Sequence, residues 1–388
     1  MRICRDDMQP SDQHIVIIAG EESGDQHAAQ LVQTLKAKYP HLKISGIGGQ
    51  HMHAAGVELL SDLARFGVTG IIEVFRHGWM IYKAYKIIKN HLEKTKPDLL
   101  ILVDYPGFNL RLAQFAKKLN LKILYYISPQ IWAWKARRIE TIRKCIDHMA
   151  VILPFEKEIY QHAKIPVAFV GHPLTASIEE CIASKPQRTH YQLPENKKII
   201  ALLPGSRVNE IERHMPVLYN TAKQLIHQHP DLHFVIPIAK TIAPSLIKSY
   251  WSSTSIPCSF IEGNAVEIAW CSDAVVVASG TASLECALLA KPMCIIYKAS
   301  LITYLAASQL IRVKYLGLCN LLQNEMIVPE LLQYDCNPKE LTQTINSLLF
   351  DTATIQRMQT RLTQLKHNLS LETADMTLCE LVEHLTIC

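Results

Sequence analysis

The sequence predicts an α/β protein built from two doubly wound, Rossmann-like domains with parallel sheets and a helical C-terminal tail. Three observations support this prediction. Short apolar runs rich in β-branched residues recur along the chain, each is followed by a longer helical pattern, and a polar stretch divides the runs into two groups. Strands that alternate with helices form parallel sheets, because each helix carries the chain back to the same edge. A chain of 388 residues also exceeds the usual size of one core.

Composition fits a globular protein and argues against several other classes. Hydrophobic residues make up 49% of the chain and charged residues 19%, which excludes disorder. The net charge of +5 is small and no long basic run occurs, so no nucleic-acid partner is expected. The polar N-terminus and the short first apolar run predict neither a signal peptide nor a membrane span. We expect a cytoplasmic protein.

Cysteine and histidine are frequent but form no pattern typical of a metal site. The 11 cysteines include no CxxC pair, and several, such as Cys271, Cys286 and Cys294, fall within apolar runs. They are expected to be reduced core residues. The 17 histidines include no HExxH motif. The prediction is that the protein holds no metal.

Apolar runs predict the strands, and a polar stretch predicts the domain boundary. The predicted strands of the first domain are Ile15 to Ala19, Lys43 to Ile47, Leu99 to Val103, Lys122 to Ile127 and Met149 to Leu153. Those of the second domain are Lys198 to Leu203, His233 to Ile238, Ala274 to Ala278 and Met293 to Tyr297. The boundary is predicted near residue 172, which gives domains 1–171 and 172–388. Their strand ends are expected to face a common cleft.

The turn after Ala274 to Ala278 predicts a phosphate site. Ser279, Gly280 and Thr281 lead from this strand into a helix, whose first amides and positive dipole end favour an anion. Glu285 lies further along that helix, at a spacing that suits hydrogen bonds from a ribose hydroxyl. The alternative is an ordinary turn with Ser279 as the helix N-cap.

The turn after Lys198 to Leu203 adds a positive charge to the predicted site. Gly205 and Ser206 offer backbone amides, and the guanidinium of Arg207 is able to bind two phosphate oxygens at once. The alternative is a surface arginine at a helix start, where the helix dipole disfavours it. Together the two turns indicate that the second domain binds a nucleotide.

Two turns of the first domain carry further candidate residues. Glu21, Ser23 and Gly24 follow the first strand, where glycine permits the close approach of a ligand. The alternative there is a helix start capped by Ser23 or Asp25. Asp104 ends a wholly apolar strand, where burial would raise its pKa toward that of a general base. The alternative is that Asp104 caps the next helix or binds loop amides.

An apolar segment interleaved with basic residues predicts a surface for lipid. Its apolar members are Ile72, Val74, Phe75, Trp79 and Met80. Apolar groups beside positive charges are typical of surfaces that bind membranes or acyl chains. The alternative is a core helix with solvated charges on its far side.

These motifs, taken in order, resemble the lipid-A-disaccharide synthases, which are inverting glycosyltransferases of the two-domain GT-B fold. The matching strings include AGEESGD (19–25), GVTGIIEV (67–74), VDYPGFN (103–109), LLPGSRVNEI (202–211) and ASGTASLE (278–285). They follow the family order over most of the chain, which is more specific than any single glycine-rich loop.

The resemblance implies a reaction and residue roles. UDP-2,3-diacylglucosamine would donate its sugar to the 6-hydroxyl of 2,3-diacylglucosamine 1-phosphate, with Asp104 as the base and UDP as the leaving group. The family's donor-site residues fall on Arg207, Ser279 to Thr281, Glu285 and Asn320. The resemblance also implies no cofactor, no metal and a peripheral position on the cytoplasmic face of the Gram-negative inner membrane. A homodimer that exchanges C-terminal segments is compatible with it.

The chain departs from the family pattern at two points, and rival interpretations stay open. Many members carry a second acidic residue where this chain has Gly107, and a basic residue often occurs in the segment that here reads Gln323-Asn324-Glu325. The nearest rivals are other GT-B enzymes acting on a UDP-N-acetylhexosamine, such as a lipid II-forming transferase or a UDP-sugar 2-epimerase. A rival of another class is a non-catalytic protein that binds lipids or nucleotide sugars.

Overall fold

The computed structural model describes residues 13–63, 71–131, 138–251, 255–299 and 314–386, without the side chains of 71–77. The chain divides into two units. The first unit contains the residues up to Pro173 together with those from Leu371 onward, and the second runs from Leu174 to Ser370. Each unit is built around one parallel sheet.

The first unit contains seven strands and the helices that connect them. The strands are β1 (His14–Ala19), β2 (Lys43–Gly48), β3 (Glu58–Asp62), β4 (Leu99–Val103), β5 (Ile123–Tyr126), β6 (His148–Val151) and β7 (Val167–Phe169). The helices are α1 (Glu22–Lys38), α2 (Gln50–Ala54), α3 (Ile71–Thr95), α4 (Pro106–Lys118), α5 (Arg138–Cys145) and α6 (Pro154–His162). The strand order in the sheet is β3-β2-β1-β4-β5-β6-β7.

The second unit repeats this plan with six strands. They are β8 (Lys198–Leu203), β9 (Leu232–Ile238), β10 (Cys258–Glu262), β11 (Ala274–Ala278), β12 (Met293–Tyr297) and β13 (Glu330–Leu332), in the order β10-β9-β8-β11-β12-β13. The helices are α7 (Leu174–Ser184), α8 (Val208–Gln228), α9 (Pro244–Ser249), α10 (Ala265–Cys271), α11 (Thr281–Leu288), α12 (Leu318–Gln323), α13 (Pro338–Phe350) and α14 (Thr352–Leu369). The last helix, α15 (Leu378–Thr386), belongs to the first unit.

Alternate residues of the central strands pack into two different layers, because successive side chains of a strand point to opposite faces. Along β1, Val16 and Ile18 belong to a core layer that includes α3 and α4, while Ile15 and Ile17 belong to one that includes α1 and α15. Both faces of the sheet are therefore covered. This explains why β1 and β4 read as unbroken apolar runs.

The predicted α/β class and the GT-B architecture are confirmed, and every predicted strand is present. The four strands that the sequence did not predict, β3, β7, β10 and β13, are the outermost strands of the two sheets. They are short or only partly buried. An edge strand needs no continuous apolar run, so hydrophobic patterning does not reveal it.

The C-terminal segment differs from the predicted partition. The first unit ends at Pro173, close to the predicted boundary, but residues from Leu371 onward group with it and not with the second unit. Leu381 and Val382 of α15 are buried in the first core. The Asp375 carboxylate accepts a hydrogen bond from the Phe169 amide at 2.8 Å and pairs with Lys157. These contacts join residues far apart in sequence, which local patterns do not report.

Candidate active site

A cavity of about 360 Å³ opens at the carboxyl ends of β8, β9 and β11 in the second unit. The two predicted phosphate-binding turns, 205–207 and 279–281, both line it. They lie side by side because β8 and β11 are neighbours, with Leu203 paired to Val277. The strand order reverses at this point, where open α/β sheets bind ligands. Residues 263–265 also line the cavity. These residues follow the edge strand β10, which apolar patterning does not reveal.

The turn after β11 presents backbone amides without a side-chain cap. Helix α11 has Gly280 as its N-cap, so the alternative with Ser279 as the cap is wrong. The Ser279 amide donates to the Ile296 carbonyl at 3.0 Å. In the described part of the chain, the amides of Gly280, Thr281 and Ala282 have no protein acceptor. Gly280 has φ of 153°, which suits glycine, and a Cβ there would meet no atom within 4 Å.

The turn after β8 folds around the carboxylate of Glu210. Its Oε2 accepts the Ser206 amide at 3.0 Å, and its Oε1 accepts Arg207 Nη1 at 3.0 Å. Gly205 has φ of 121°, and a Cβ there would lie 2.3 Å from Glu210 Oε2. The glycine is thus required by Glu210 and by the backbone conformation. Glu210 was missed because an acidic residue in a first helical turn is ordinary.

His214 lies one helical turn after Glu210 in α8 and bonds the backbone of the loop that follows β8. Its side chain is fully buried. Its Nδ1 bonds the Pro204 carbonyl at 2.7 Å, and its Nε2 bonds the Lys298 amide at 3.0 Å. A carbonyl only accepts and an amide only donates, so the ring is the neutral tautomer with the proton on Nδ1. Burial lowers its pKa. His214 therefore ties this turn to the end of β12.

Glu285 and Asn320 lie outside the residues that line the cavity. Glu285 is half-buried, and burial raises its pKa. The Asn320 side chain is fully buried, and its amide donates to Val328 and Glu330 and accepts the backbone amides of Ile327 and Val328. All of its hydrogen-bonding groups are in use. Direct contact with a ligand would require one of these bonds to break.

Asp104 occupies a strained turn at the end of β4. Asp104 and Tyr105 have φ of 45° and 44°, in the left-handed region. The Asp104 amide donates to Tyr126 at 2.9 Å, and its carbonyl accepts the Tyr125 hydroxyl at 2.6 Å and Asn109 Nδ2 at 2.7 Å. Helix α4 has Tyr105 as its N-cap with no side-chain bond, so Asp104 does not cap this helix.

The pKa of the Asp104 carboxyl lies above the ordinary value for an aspartate. Burial, followed by the negative charge of Glu21, raises its pKa to about 6, and the Tyr105 amide opposes this. Burial also raises the pKa of Glu21. Glu21 follows β1, the strand paired with β4. Gly107 is exposed and has nothing within 4 Å of an added Cβ. Position 107 thus offers no carboxylate to Asp104. The negative charge that raises the Asp104 pKa comes from Glu21, on the predicted first loop.

Close packing and backbone hydrogen bonds explain why Gly20, Gly24 and Asp25 occur in the first loop. A Cβ on Gly20 would lie 2.2 Å from the Tyr105 ring, and Gly24 is buried against β4. Asp25 is buried and accepts the backbone amides of Gly49, His51 and Met52, so it caps α2. Helix α1 has no side-chain cap, which contradicts the capping alternative; Ser23 is exposed.

A further cluster on the first loop has the composition of a cation site but has a structural explanation. Glu22, Asp25 and His51 bring ligand atoms within 4.8 Å of one another. The Asp25 oxygens already accept backbone amides. His51 Nε2 and Glu22 Oε1 are joined by a hydrogen bond of 3.0 Å. The capping bonds and this hydrogen bond account for the cluster.

The predicted lipid surface is described in part. Ile72, Val74 and Phe75 lie outside the described side chains, and Met80 is half-buried. Trp79 is 73% exposed, and Tyr82, one turn further, is 66% exposed. Exposed lysines share this side of α3, and the Lys83 ammonium lies 5.5 Å from the centre of the Trp79 ring. The opposite side of the helix is buried in the core. Of the helices in the described ranges, none has both the length and the apolar content needed to cross a membrane.

Comparisons with known proteins identify the family. The model of the lipid-A-disaccharide synthetase family matches residues 15–382. Lipid-A-disaccharide synthase 1 of Legionella pneumophila is 58% identical over 374 residues, which cover 96% of this chain and 97% of the relative. The chain belongs to the lipid-A-disaccharide synthetase family. The lipid-A-disaccharide synthase of Nitrosococcus oceani is 40% identical over 374 residues, covering 96% of each chain.

Solved structures resemble this family member in fold alone. The glycotransferase of kitacinnamycin has a TM-score of 0.65 at 14% identity and covers 96% of this chain and 99% of its own. UDP-GlcNAc 2-epimerase from Neisseria meningitidis has a TM-score of 0.58 at 12% identity, with coverage of 93% and 99%. The fold is therefore shared by enzymes of different activity, and it does not favour the epimerase over the family's own reaction.

Proposed function

We propose that this member of the lipid-A-disaccharide synthetase family transfers 2,3-diacylglucosamine from UDP to the 6-hydroxyl of 2,3-diacylglucosamine 1-phosphate. The products are the lipid A disaccharide 1-phosphate and UDP. The observation that supports a catalytic role most directly is Asp104, a carboxyl with a pKa raised to about 6 at the end of a central strand. Such a base is ionised at neutral pH and still basic enough to take a proton.

In this proposal Asp104 removes the proton of the 6-hydroxyl as the oxygen attacks the anomeric carbon. The bond to UDP breaks on the opposite face, so the configuration inverts. Negative charge then grows on the departing diphosphate. The amides of Gly280, Thr281 and Ala282, the α11 dipole and the Arg207 guanidinium suit that charge. Glu285 is proposed to bind the ribose, and Asn320 to support the neighbouring segment.

We also propose that the protein works at the cytoplasmic face of the inner membrane. The exposed Trp79 and Tyr82 beside Lys83 are what an interfacial helix presents to anionic lipid. The acyl chains of both substrates give the predicted apolar surface a ligand. A homodimer is retained as a proposal, which sedimentation of the purified protein tests.

Release of UDP tests the proposed reaction. The purified protein is offered the two acylated glucosamine substrates and, separately, UDP-N-acetylglucosamine with the same acceptor. Only the acylated donor is expected to release UDP. Release from UDP-N-acetylglucosamine would favour the other GT-B enzymes, and no release from either donor would favour the binding protein.

Asp104→Asn tests the catalytic role separately. Turnover is expected to fall by about 10² to 10⁴, the usual contribution of a positioned base. UDP affinity, measured by calorimetry, is expected to stay within about twofold of the unmodified protein, because the UDP-binding residues proposed here lie in the second unit. Unchanged turnover would refute the role as base.

A further inference from the structure

The Glu210 carboxylate lies inside the turn proposed to bind the diphosphate, where a negative charge should oppose an anionic ligand. The side chain of Glu210 is only 15% exposed, whereas that of Arg207 is 67% exposed. Coulomb repulsion between a carboxylate and a diphosphate has an energetic cost. If Glu210 belongs to the diphosphate site, another interaction that it makes must favour binding and offset this repulsion.

The hydrogen bonds of Glu210 supply one. Its two oxygens hold two different groups of the turn, the Ser206 amide and the Arg207 guanidinium. An arginine carries five N–H donors, and this contact uses one of them. The remaining donors stay available on a side chain whose orientation is restrained, so less side-chain entropy is lost when a ligand binds.

The rest of the turn has other supports. The Thr241 hydroxyl donates to the Ser206 carbonyl at 2.7 Å, and His214 holds the Pro204 carbonyl. Neither residue contacts the Arg207 guanidinium in the described hydrogen bonds. Among the described residues, Glu210 is the one that bonds the Arg207 side chain.

We propose that Glu210 is a positioning residue that holds the Arg207 guanidinium and the Ser206 amide in the arrangement that binds the diphosphate. This assignment rests on the proposed function, since it assumes that UDP occupies the cavity. In this assignment Glu210 acts through Arg207 and Ser206, which are proposed to bind the diphosphate. Its effect is therefore expected on ligands that carry the diphosphate.

Glu210→Gln is the sharpest variant. Glutamine retains a side-chain oxygen that is able to accept the Ser206 amide, which precedes the N-cap Arg207, so the start of α8 is preserved. It lacks the charge that holds Arg207. Glu212→Gln, an exposed change of the same kind in the same helix, is the matched control.

The experiment measures the affinities of UDP and uridine by calorimetry for the unmodified protein and four variants. These are Glu210→Gln, Arg207→Ala, their combination and Glu212→Gln. Glu210→Gln is expected to weaken UDP binding about tenfold, with uridine binding unchanged. In the Arg207→Ala background, Glu210→Gln is expected to have no further effect, because the group it positions is absent. Glu212→Gln is expected to behave as the unmodified protein.

The assignment alone would be overturned if Glu210→Gln bound UDP with the affinity of Glu212→Gln, bound UDP more tightly than the unmodified protein, or lost UDP and uridine affinity equally. The last would mean that Glu210 merely maintains the fold. An undiminished effect in the Arg207→Ala background would also exclude positioning of Arg207. Failure of the unmodified protein to bind UDP would instead overturn the proposed function, and this assignment with it.

Discussion

Asp104 and Tyr105 place two successive left-handed residues where β4 turns directly into α4. Such conformations cost about 1–3 kcal/mol each and persist when surrounding contacts determine them. Here the Tyr125 hydroxyl and the Asn109 amide both hold the Asp104 carbonyl. Asparagine and aspartate tolerate this conformation better than most residues. The turn therefore combines a candidate base with a residue type that limits the strain.

The raised pKa of Asp104 predicts how activity depends on pH. The carboxylate must be ionised to accept a proton, so kcat/KM is expected to fall as the pH drops below about 6. Glu21→Gln removes the negative charge that contributes to the raised pKa, so this loss of activity should move to lower pH. The measurement is a pH–rate profile of both proteins. Glu22→Gln, an exposed neighbour, is the control. Superimposable profiles for Glu21→Gln and the unmodified protein would contradict the proposed coupling.

The same pKa predicts that Asp104 lowers stability at neutral pH. Its pKa rises from 3.8 to about 6 on folding, so protonated Asp104 favours the folded state below pH 3.8, and this advantage is lost as the pH rises through 6. Above that pH the buried charge costs stability. Asp104→Asn is expected to raise the free energy of unfolding at neutral pH by about 1–3 kcal/mol. Urea denaturation measures it, and repetition at acid pH should remove the gain. A lower stability at neutral pH would contradict the prediction.

At the scale of elements, helix α3 has one side buried in the core and one side exposed to solvent. Ala84, Ile88 and Leu92 recur at helical spacing and are buried in the core of the first unit. Trp79 and Tyr82 are exposed instead. Exposed aromatic side chains next to lysines are what the proposed membrane-binding surface requires.

The exposed side of α3 is expected to determine membrane binding. Replacing Trp79 and Tyr82 together by serine should weaken flotation with anionic liposomes by about tenfold or more, because burying each aromatic side chain contributes about 1.5–3 kcal/mol. UDP affinity should not change. Tyr334→Ser, which alters an aromatic residue 76% exposed in the second unit, is the matched control. The prediction fails if the control loses as much flotation, or if UDP binding falls in parallel.

At the scale of the whole molecule, the chain leaves the first unit after Pro173 and returns to it at Leu371. The returning segment is attached at several points. Lys38 pairs with Glu383, the Lys122 ammonium donates to the Leu385 carbonyl, and Asp375 accepts the Phe169 amide. The stability of the first unit thus depends on residues that follow the entire second unit in the sequence.

Substitutions in this segment are expected to separate stability from nucleotide binding. Leu381 is fully buried, so Leu381→Ala should lower the free energy of unfolding by about 2–5 kcal/mol. Leu371 is 55% exposed, and Leu371→Ala should cost well under about 1 kcal/mol. Denaturant titration compares the two variants. Both should bind UDP with unchanged affinity, since the cavity is lined by the second unit. Equal destabilisation by the two variants would show that α15 is not part of the core.

The sequence by itself determined the central strands, the division into two sheets and the positions of the candidate loops. Buried central strands such as β4 and β11 must be apolar on both faces, so an unbroken apolar run in the sequence predicts them. Their ends must be turns, and unusual residues such as Asp104 and Arg207 stand out there. These features depend on near neighbours in the chain, and motif order added the family.

Only the tertiary structure decided which distant groups meet. It brought Glu21 into the electrostatic environment of Asp104, enclosed Glu210 in the turn of Gly205, and returned Leu381 to the first core. It also used the Asn320 amide for internal bonds, where the family resemblance implies a donor-site contact. None of these residues is unusual for its local segment. Their roles come from strand order and packing, which bring together residues far apart in the chain and which local hydrophobic patterns do not encode.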